Sequence, residues 1–443
     1  MARRRKKKLR LKYKVRRFIF LIIVLLIIYL IYSLIVSIFG SEEEVKENNN
    51  KIVNNSSVIN ITNDSESDSD VIDTIFMDGL SLEDFNNILD YKPKVINQNK
   101  KYTNIEYDFE TTKHYSYLES IYKKLSNSDI VHVEVIGKSV DNRNIYGIEI
   151  GKGKDTIFID ANIHAAEVAN TLILTRFLSE LVNDYEANEE NIVQMLNNVK
   201  IAAIPCLNPD GYEIYNYGVE SLNNKDLWVY ENRNKINFDN IKSNANGVDL
   251  NRNFPTQNVG LYYKGNRLIS NTSITKTFEK GKYYNGESAG SEPETRAAMY
   301  FMLKHYKNTI YYVNMHTQGR VIYAGKPNLS DEFNDLTIAF ANNINSINGY
   351  KVNGLDDEEV GEGNDGSATD FMSELAHGFK FSTKTLRLST DKYIDNSATL
   401  KYKYPVITLE TTKVWTRDTS FFKKEYYDNG IRDMLYKLIE KEL

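Results

Sequence analysis

The chain has one cysteine, Cys206, in 443 residues. A single thiol excludes an intrachain disulfide framework and any cysteine-cluster zinc site. Seven prolines exclude a proline-rich or collagen-like chain. No acidic residue precedes Glu42, whereas residues 1–17 hold 11 Lys and Arg. Beyond that basic start the deficit reverses: 44 basic residues face 60 acidic ones, a formal charge of −16. A nucleic-acid partner is excluded on that ground, because it needs a basic footprint on the folded part. There is no H-E-x-x-H segment, so the helical two-histidine metal motif is absent. No internal repeat is visible. With 41% apolar and 26% charged residues, most of the chain has the composition of a globular protein.

Residues 18–39 form the one long uncharged apolar run, FIFLIIVLLIIYLIYSLIVSIF. As a helix it would reach roughly 33 Å, enough to cross a bilayer's hydrocarbon core. The preceding basic run, residues 1–17, is expected in the cytoplasm and everything after Gly40 outside. The run is longer than a signal-peptide core and lacks an A-x-A-like cleavage site, so it reads as an uncleaved signal anchor. An outward-facing domain without disulfides fits a Gram-positive bacterial surface. Residues 40–105, rich in Glu, Asn, Ser and Asp, read as a disordered tether with room for a short helix within 72–92.

The texture changes near residue 106, and 106–443 reads as one large domain. Helices are expected at Tyr115–Leu125, Ala166–Asn183, Glu292–Lys304, Leu336–Ser346 and Asp428–Leu443. Apolar strands are expected at Val131–Ile136, Ile145–Ile150, Asp155–Ala161, Val199–Ile204, Thr309–Asn314 and Val406–Leu409. Helices alternating with near-continuous apolar strands indicate an α/β domain around a covered, largely parallel sheet.

Four segments place reactive side chains at the ends of such strands. Asp155–Ala161 runs into Asn162-Ile163-His164-Ala165-Ala166-Glu167, where His and Glu three apart can share one metal ion. His316 ends another apolar strand and is the candidate third ligand. Two histidines and one carboxylate leave zinc an open position, as catalytic sites do. Asn251 and Arg252, in GVDLNRNFP, pair an amide with a guanidinium suited to gripping a carboxylate. Glu410 ends a third apolar strand, where an unused carboxylate would be costly, and suits a general base.

Taken in order, the His164–Glu167 pair, NPDG (208–211), DLNRNF (249–254), SEPET (291–295), His316, GSATDF (366–371) and Glu410 resemble the zinc carboxypeptidase family, the funnel-shaped metallocarboxypeptidases. The resemblance spans roughly residues 106–440 and includes GKSVDNRNIYGIEIG (137–151) as the family's first hairpin. It implies a three-layer α/β/α domain with a central mixed, largely parallel sheet, here preceded by one transmembrane helix. It implies one zinc ion held by His164, Glu167 and His316, with Glu410 as base and proton shuttle. Asn251 and Arg252 would hold a substrate's terminal carboxylate, and Asp249 would support the turn or orient a zinc-ligating histidine. Either Arg233 or Lys242 would stabilise the oxyanion. Ala166 stands where digestive members carry an arginine, and no tyrosine occupies the segment VGEGNDG, where a mobile one is expected. Thr369, at the specificity position, is uncharged, so nothing points to basic C-terminal residues. The remaining histidines, His114, His132, His305 and His377, read as surface or packing residues, and Trp228 and Trp415 as core or rim.

The function implied is a membrane-anchored, extracytoplasmic metallocarboxypeptidase acting on peptides, with peptidoglycan stem peptides the nearest substrate for a surface enzyme. A wall endopeptidase of the same fold is the alternative, and a non-catalytic peptide- or wall-binding module a more distant one.

Overall fold

The computed structural model describes residues 82–97, 100–107, 113–256, 261–264, 267–270, 280–281, 283–326, 329–354, 366–378 and 400–443. The basic start, the apolar run 18–39 and the tether up to residue 81 lie outside the described residues. Among the described residues no helix is long and apolar enough to cross a membrane.

Eleven strands are described: β1 (Lys94–Val95), β2 (Val131–Lys138), β3 (Asn144–Ile150), β4 (Asp155–Ala161), β5 (Val199–Ile204), β6 (Leu261–Lys264), β7 (Arg267–Ser270), β8 (Thr309–Thr317), β9 (Val321–Ala324), β10 (Lys351–Asn353) and β11 (Val406–Thr411). β6 and β7 form a separate antiparallel hairpin. The other nine make one sheet in the order β1-β2-β3-β5-β4-β8-β11-β9-β10. Its centre, β5-β4-β8-β11, is parallel. β1, β2 and β3 flank it antiparallel on one side. On the other side β9 runs antiparallel to β11 and parallel to β10. The sheet is therefore mixed, as expected, but parallel pairing dominates only in the middle.

The strand residues alternate between two apolar layers. Ile157 and Ile159 of β4 enter one cluster, together with the helices Tyr115–Leu125 and Val168–Glu186. Phe158 enters the other, with the helices Pro293–His305 and Ala368–His377. Burial on both faces explains why the middle of β4, Ile157–Ile159, is apolar at every position. The short helix allowed for in the tether spans Leu82–Leu89, and the chain after it adds β1 to the sheet edge, so 82–97 belongs to the ordered domain. The closing helix spans Ile431–Glu440, entered at Gly430 with φ 77°, and a helix not expected from the sequence, Thr419–Tyr427, precedes it.

Candidate active site

The reactive residues gather where the parallel strands end, the usual place for a site in an α/β sheet. Asn162, with φ 58°, turns the chain out of β4; asparagine tolerates that left-handed backbone better than most residues. The turn delivers His164 and Glu167 just ahead of the helix that begins at Val168. His316 lies on β8, and Glu410 is its register partner on β11.

Asn208 ties these loops together. Its Oδ1 accepts the Gly211 amide at 2.8 Å and caps the helix Pro209–Tyr217. Its Nδ2 donates to the carbonyls of Ile163 and Ser243, each at 3.3 Å. Asp210 is buried and accepts from Ser139 Oγ at 2.7 Å, the Asp141 amide at 2.8 Å and Arg143 at 2.7 Å. The motif at 208–211 and the hairpin at 137–151 thus act together as a brace behind the site.

His164 Nδ1 lies 2.8 Å from Glu167 Oε1, and His316 Nδ1 lies 2.9 Å from Glu167 Oε2. All three side chains are buried, and their ligand atoms lie within 4.8 Å of one another. Glu167 Oε2 makes no hydrogen bond despite its short distance to His316. Two imidazole nitrogens and a carboxylate converging with an oxygen left unsatisfied fit a zinc ion with an open position. On the far side of the ring, His164 Nε2 lies 3.2 Å from Asp249 Oδ1, which also accepts the Asn251 amide at 3.0 Å. Asp249 therefore both orients the histidine and caps the turn that carries Asn251 and Arg252.

The electrostatics follow from this packing. Burial alone would raise the pKa of Glu167, but His164 and His316 outweigh it and hold the carboxyl below its usual range. Asp249 is likewise held low, by His164 and then Arg252, against its burial. Burial opposes charge on both histidines. Glu167 and Asp249 reverse that for His164, whose pKa is raised, whereas His316 stays lowered. Burial pushes Glu410 well above the ordinary carboxylate range; the Glu167 charge adds to this and Lys242 opposes it.

A cavity of about 210 Å³ opens beside the two histidines, and Glu410, Lys242, Asn251, Arg252 and Thr369 line it. Asn251 Oδ1 accepts the Ala368 amide at 3.0 Å, and Arg252 donates to the Asn251 carbonyl at 2.8 Å. Of the two oxyanion candidates, Lys242 faces the cavity. Arg233 does not reach it: its side chain is exposed, stacked 4.6 Å over the Tyr230 ring and bonded to the Tyr230 carbonyl at 2.9 Å. Of the segment VGEGNDG (360–366), where the resemblance places a mobile tyrosine, residues 360–365 lie outside the described residues. Tyr323 and Lys326 also line the cavity and carried no motif in the sequence. Beyond Lys242 lies a wider groove of about 810 Å³, lined by Trp228, Trp415 and Tyr283 among others, so both tryptophans are rim residues.

The other histidines stand apart. His114 stacks on Tyr217 at 3.7 Å, and His305 packs between Phe158 and Phe301. His377 closes the helix Ala368–His377, hydrogen-bonded to the Ser373 carbonyl at 2.8 Å. His132, Glu134 and Glu149 also cluster, but Lys304 pairs with both carboxylates, at 2.8 and 2.5 Å, and Lys200 pairs with Glu149 at 3.1 Å, so two lysines balance the two charges.

The comparisons with known proteins agree with this geometry. The profile described as Zinc carboxypeptidase, peptidase M14, matches residues 115–406. Gamma-D-glutamyl-L-diamino acid endopeptidase 1 of Lysinibacillus sphaericus is 32% identical over 223 residues, covering 48% of this chain and 53% of the relative. Rat carboxypeptidase B is 29% identical over 234 residues, covering 51% of each. The chain spans about half the length of the curated relatives it matches. Among solved structures, a carboxypeptidase A from Helicoverpa armigera superposes with a TM-score of 0.50 at 18% identity, covering 77% of both chains, and so shares the fold. With its sheet, its ligand trio and a family match across more than half its length, the chain belongs to the zinc carboxypeptidase family of metallopeptidases.

Proposed function

We propose that the protein is a metallocarboxypeptidase that removes C-terminal residues from peptides outside the cytoplasm. One observation carries the reading: Arg252 and Asn251 line the same small cavity as His164, His316 and Glu410. A carboxylate gripped by Arg252 sets the scissile bond near the end of the chain. When bound by His164, Glu167 and His316, zinc supplies a Lewis acid for the peptide carbonyl and for water. Glu410 takes the proton from the attacking water and hands it to the leaving amine. Burial, and after it the Glu167 charge, raises the pKa of Glu410; Lys242 opposes this, and a cation held by Glu167 would cancel the Glu167 part and favour the ionised base. Lys242 rather than Arg233 faces the oxygen on which charge develops.

The basic stretch 1–17 followed by the uncharged run 18–39 supports a single membrane anchor with the catalytic domain outside, on a Gram-positive surface. In that setting peptidoglycan stem peptides are the nearest substrates. Similarity to an endopeptidase named for a diamino-acid bond favours that choice and keeps a wall endopeptidase of this fold as the second reading.

Matched peptides with free and amidated C-termini separate the two. The carboxypeptidase reading expects amidation to lower kcat/KM by roughly 30-fold or more, the loss of one partner from a hydrogen-bonded charge pair. Equal cleavage of both peptides would reject it in favour of the endopeptidase.

A further inference from the structure

The cavity holds three cations, and the proposed reaction uses only two of them, Lys242 and Arg252. The third, Lys326, sits in the turn after β9, where nothing in the chemistry of bond cleavage requires a charge. Its placement is nevertheless built. Asn334 grips its backbone from both sides, accepting the Lys326 amide at 2.7 Å and donating to the Lys326 carbonyl at 3.0 Å. Its ammonium lies 2.6 Å from Asp370 Oδ1. Asp370 is fixed in turn: its Oδ2 accepts the Ser367 amide at 3.1 Å and the Ser367 hydroxyl at 2.7 Å.

These contacts locate Lys326 relative to the bond to be cut. Asn251 is tied to Ala368, and Lys326 to Asp370, so the carboxylate grip and the third cation meet on the first turn of one helix. Arg252, Thr369 and Lys326 line the same cavity, so a C-terminal residue held by Arg252 would have its side chain within the space that Lys326 borders. Asp370 does not line the cavity; it holds the ammonium from behind. An ammonium has three N–H donors, so that pairing leaves donors for a ligand.

We propose that Lys326 determines specificity, selecting C-terminal residues whose side chain ends in a carboxylate. The inference rests on the carboxypeptidase reading, since it takes the terminal carboxylate to be held by Arg252. Glutamate has such a side chain. So does a diamino dicarboxylic acid, which carries an amine beside the second carboxylate. Both share the anion that Lys326 would bind.

The test uses the zinc-loaded protein and blocked dipeptides that differ only in the last residue: glutamate, leucine, lysine or diaminopimelate. Glutamate is expected to exceed leucine by about tenfold in kcat/KM, chiefly through KM, as for a hydrogen bond to a charged partner. Lysine should be poorest. Diaminopimelate should rank with glutamate, because Lys326 reads the carboxylate they share; diaminopimelate falling to the level of lysine would count against the assignment. Lys326→Met should bring glutamate down to the level of leucine, Lys326→Arg should keep the order, and Lys326→Glu should invert it toward lysine. Zinc content and melting temperature confirm that each variant is folded. An order that is flat in the wild type, or unchanged in Lys326→Met, overturns the assignment. If no peptide is cleaved, the carboxypeptidase reading fails separately. Calorimetric binding of free glutamate against free leucine still decides: tighter glutamate binding that Lys326→Met abolishes supports the pocket, and equal binding rejects it.

Discussion

Glu410 and His316 are opposite one another on adjacent parallel strands, and that single pairing sets the proposed base beside a proposed metal ligand. Glutamine at 410 keeps the size and hydrogen bonding but cannot take a proton. Glu410→Gln should retain zinc and lose roughly 10²- to 10⁴-fold in kcat, measured under saturating peptide; a loss of only a few-fold would move the base elsewhere. At this scale much of the site was legible in the sequence. His164 and Glu167 stand three apart after an apolar strand, and His316 and Glu410 are polar ends of buried strands. What could not be read was direction. Arg233 and Lys242 are both cations in one long loop, and only the path of the backbone turns Lys242 into the cavity and stacks Arg233 on Tyr230. Lys326 and Tyr323 were missed because an isolated charge or ring near a strand end has no spacing to betray it.

At the scale of elements, the brace behind the site carries stability. Arg143 lies between the buried carboxylates of Asp141 and Asp210, at 2.6 and 2.7 Å. Arg143→Ala leaves both anions without their cation and should cost about 3–5 kcal/mol in denaturant unfolding; a change under 1 kcal/mol would show that the brace is dispensable. On β4, Asp160 is buried with Tyr312 donating to it at 2.5 Å, and burial pushes its pKa up to about 7. The folded state thus holds its proton more tightly than the unfolded chain. The resulting stability is complete below about pH 4 and is lost as pH rises through about 7, by up to about 4 kcal/mol. Asp160→Asn still accepts from Tyr312 and should make the melting temperature flatter between pH 5 and 8; an unaltered pH profile would contradict this. Element legibility followed burial. β4, β5 and the helix Tyr115–Leu125 were read to the residue because apolar periodicity marks them. The helices Pro209–Tyr217 and Ala368–His377 were missed although both begin with readable signals, Asn208-Pro209 and the Ser367–Asp370 capping box. The strands β9 and β10 are too short to show a period.

For the molecule as a whole, the fold makes one site from residues far apart in the chain, and its parts depend on one another. Family membership was legible in the order of the motifs, and the antiparallel β2–β3 pair in its hairpin turn; the order of the other strands was not, since it is decided by crossovers that no local pattern records. The central claim is that His164, Glu167 and His316 hold a single zinc on which peptide hydrolysis depends. The direct measurement is zinc per chain alongside peptidase activity, in the wild type, in chelator-treated protein and in His316→Ala. The expected result is one zinc in the wild type, with zinc and activity lost together in the other two and activity restored by zinc only to the chelated wild type. A His316→Ala protein that keeps its full zinc, or a chelated protein free of zinc that still cleaves peptides, would contradict the account.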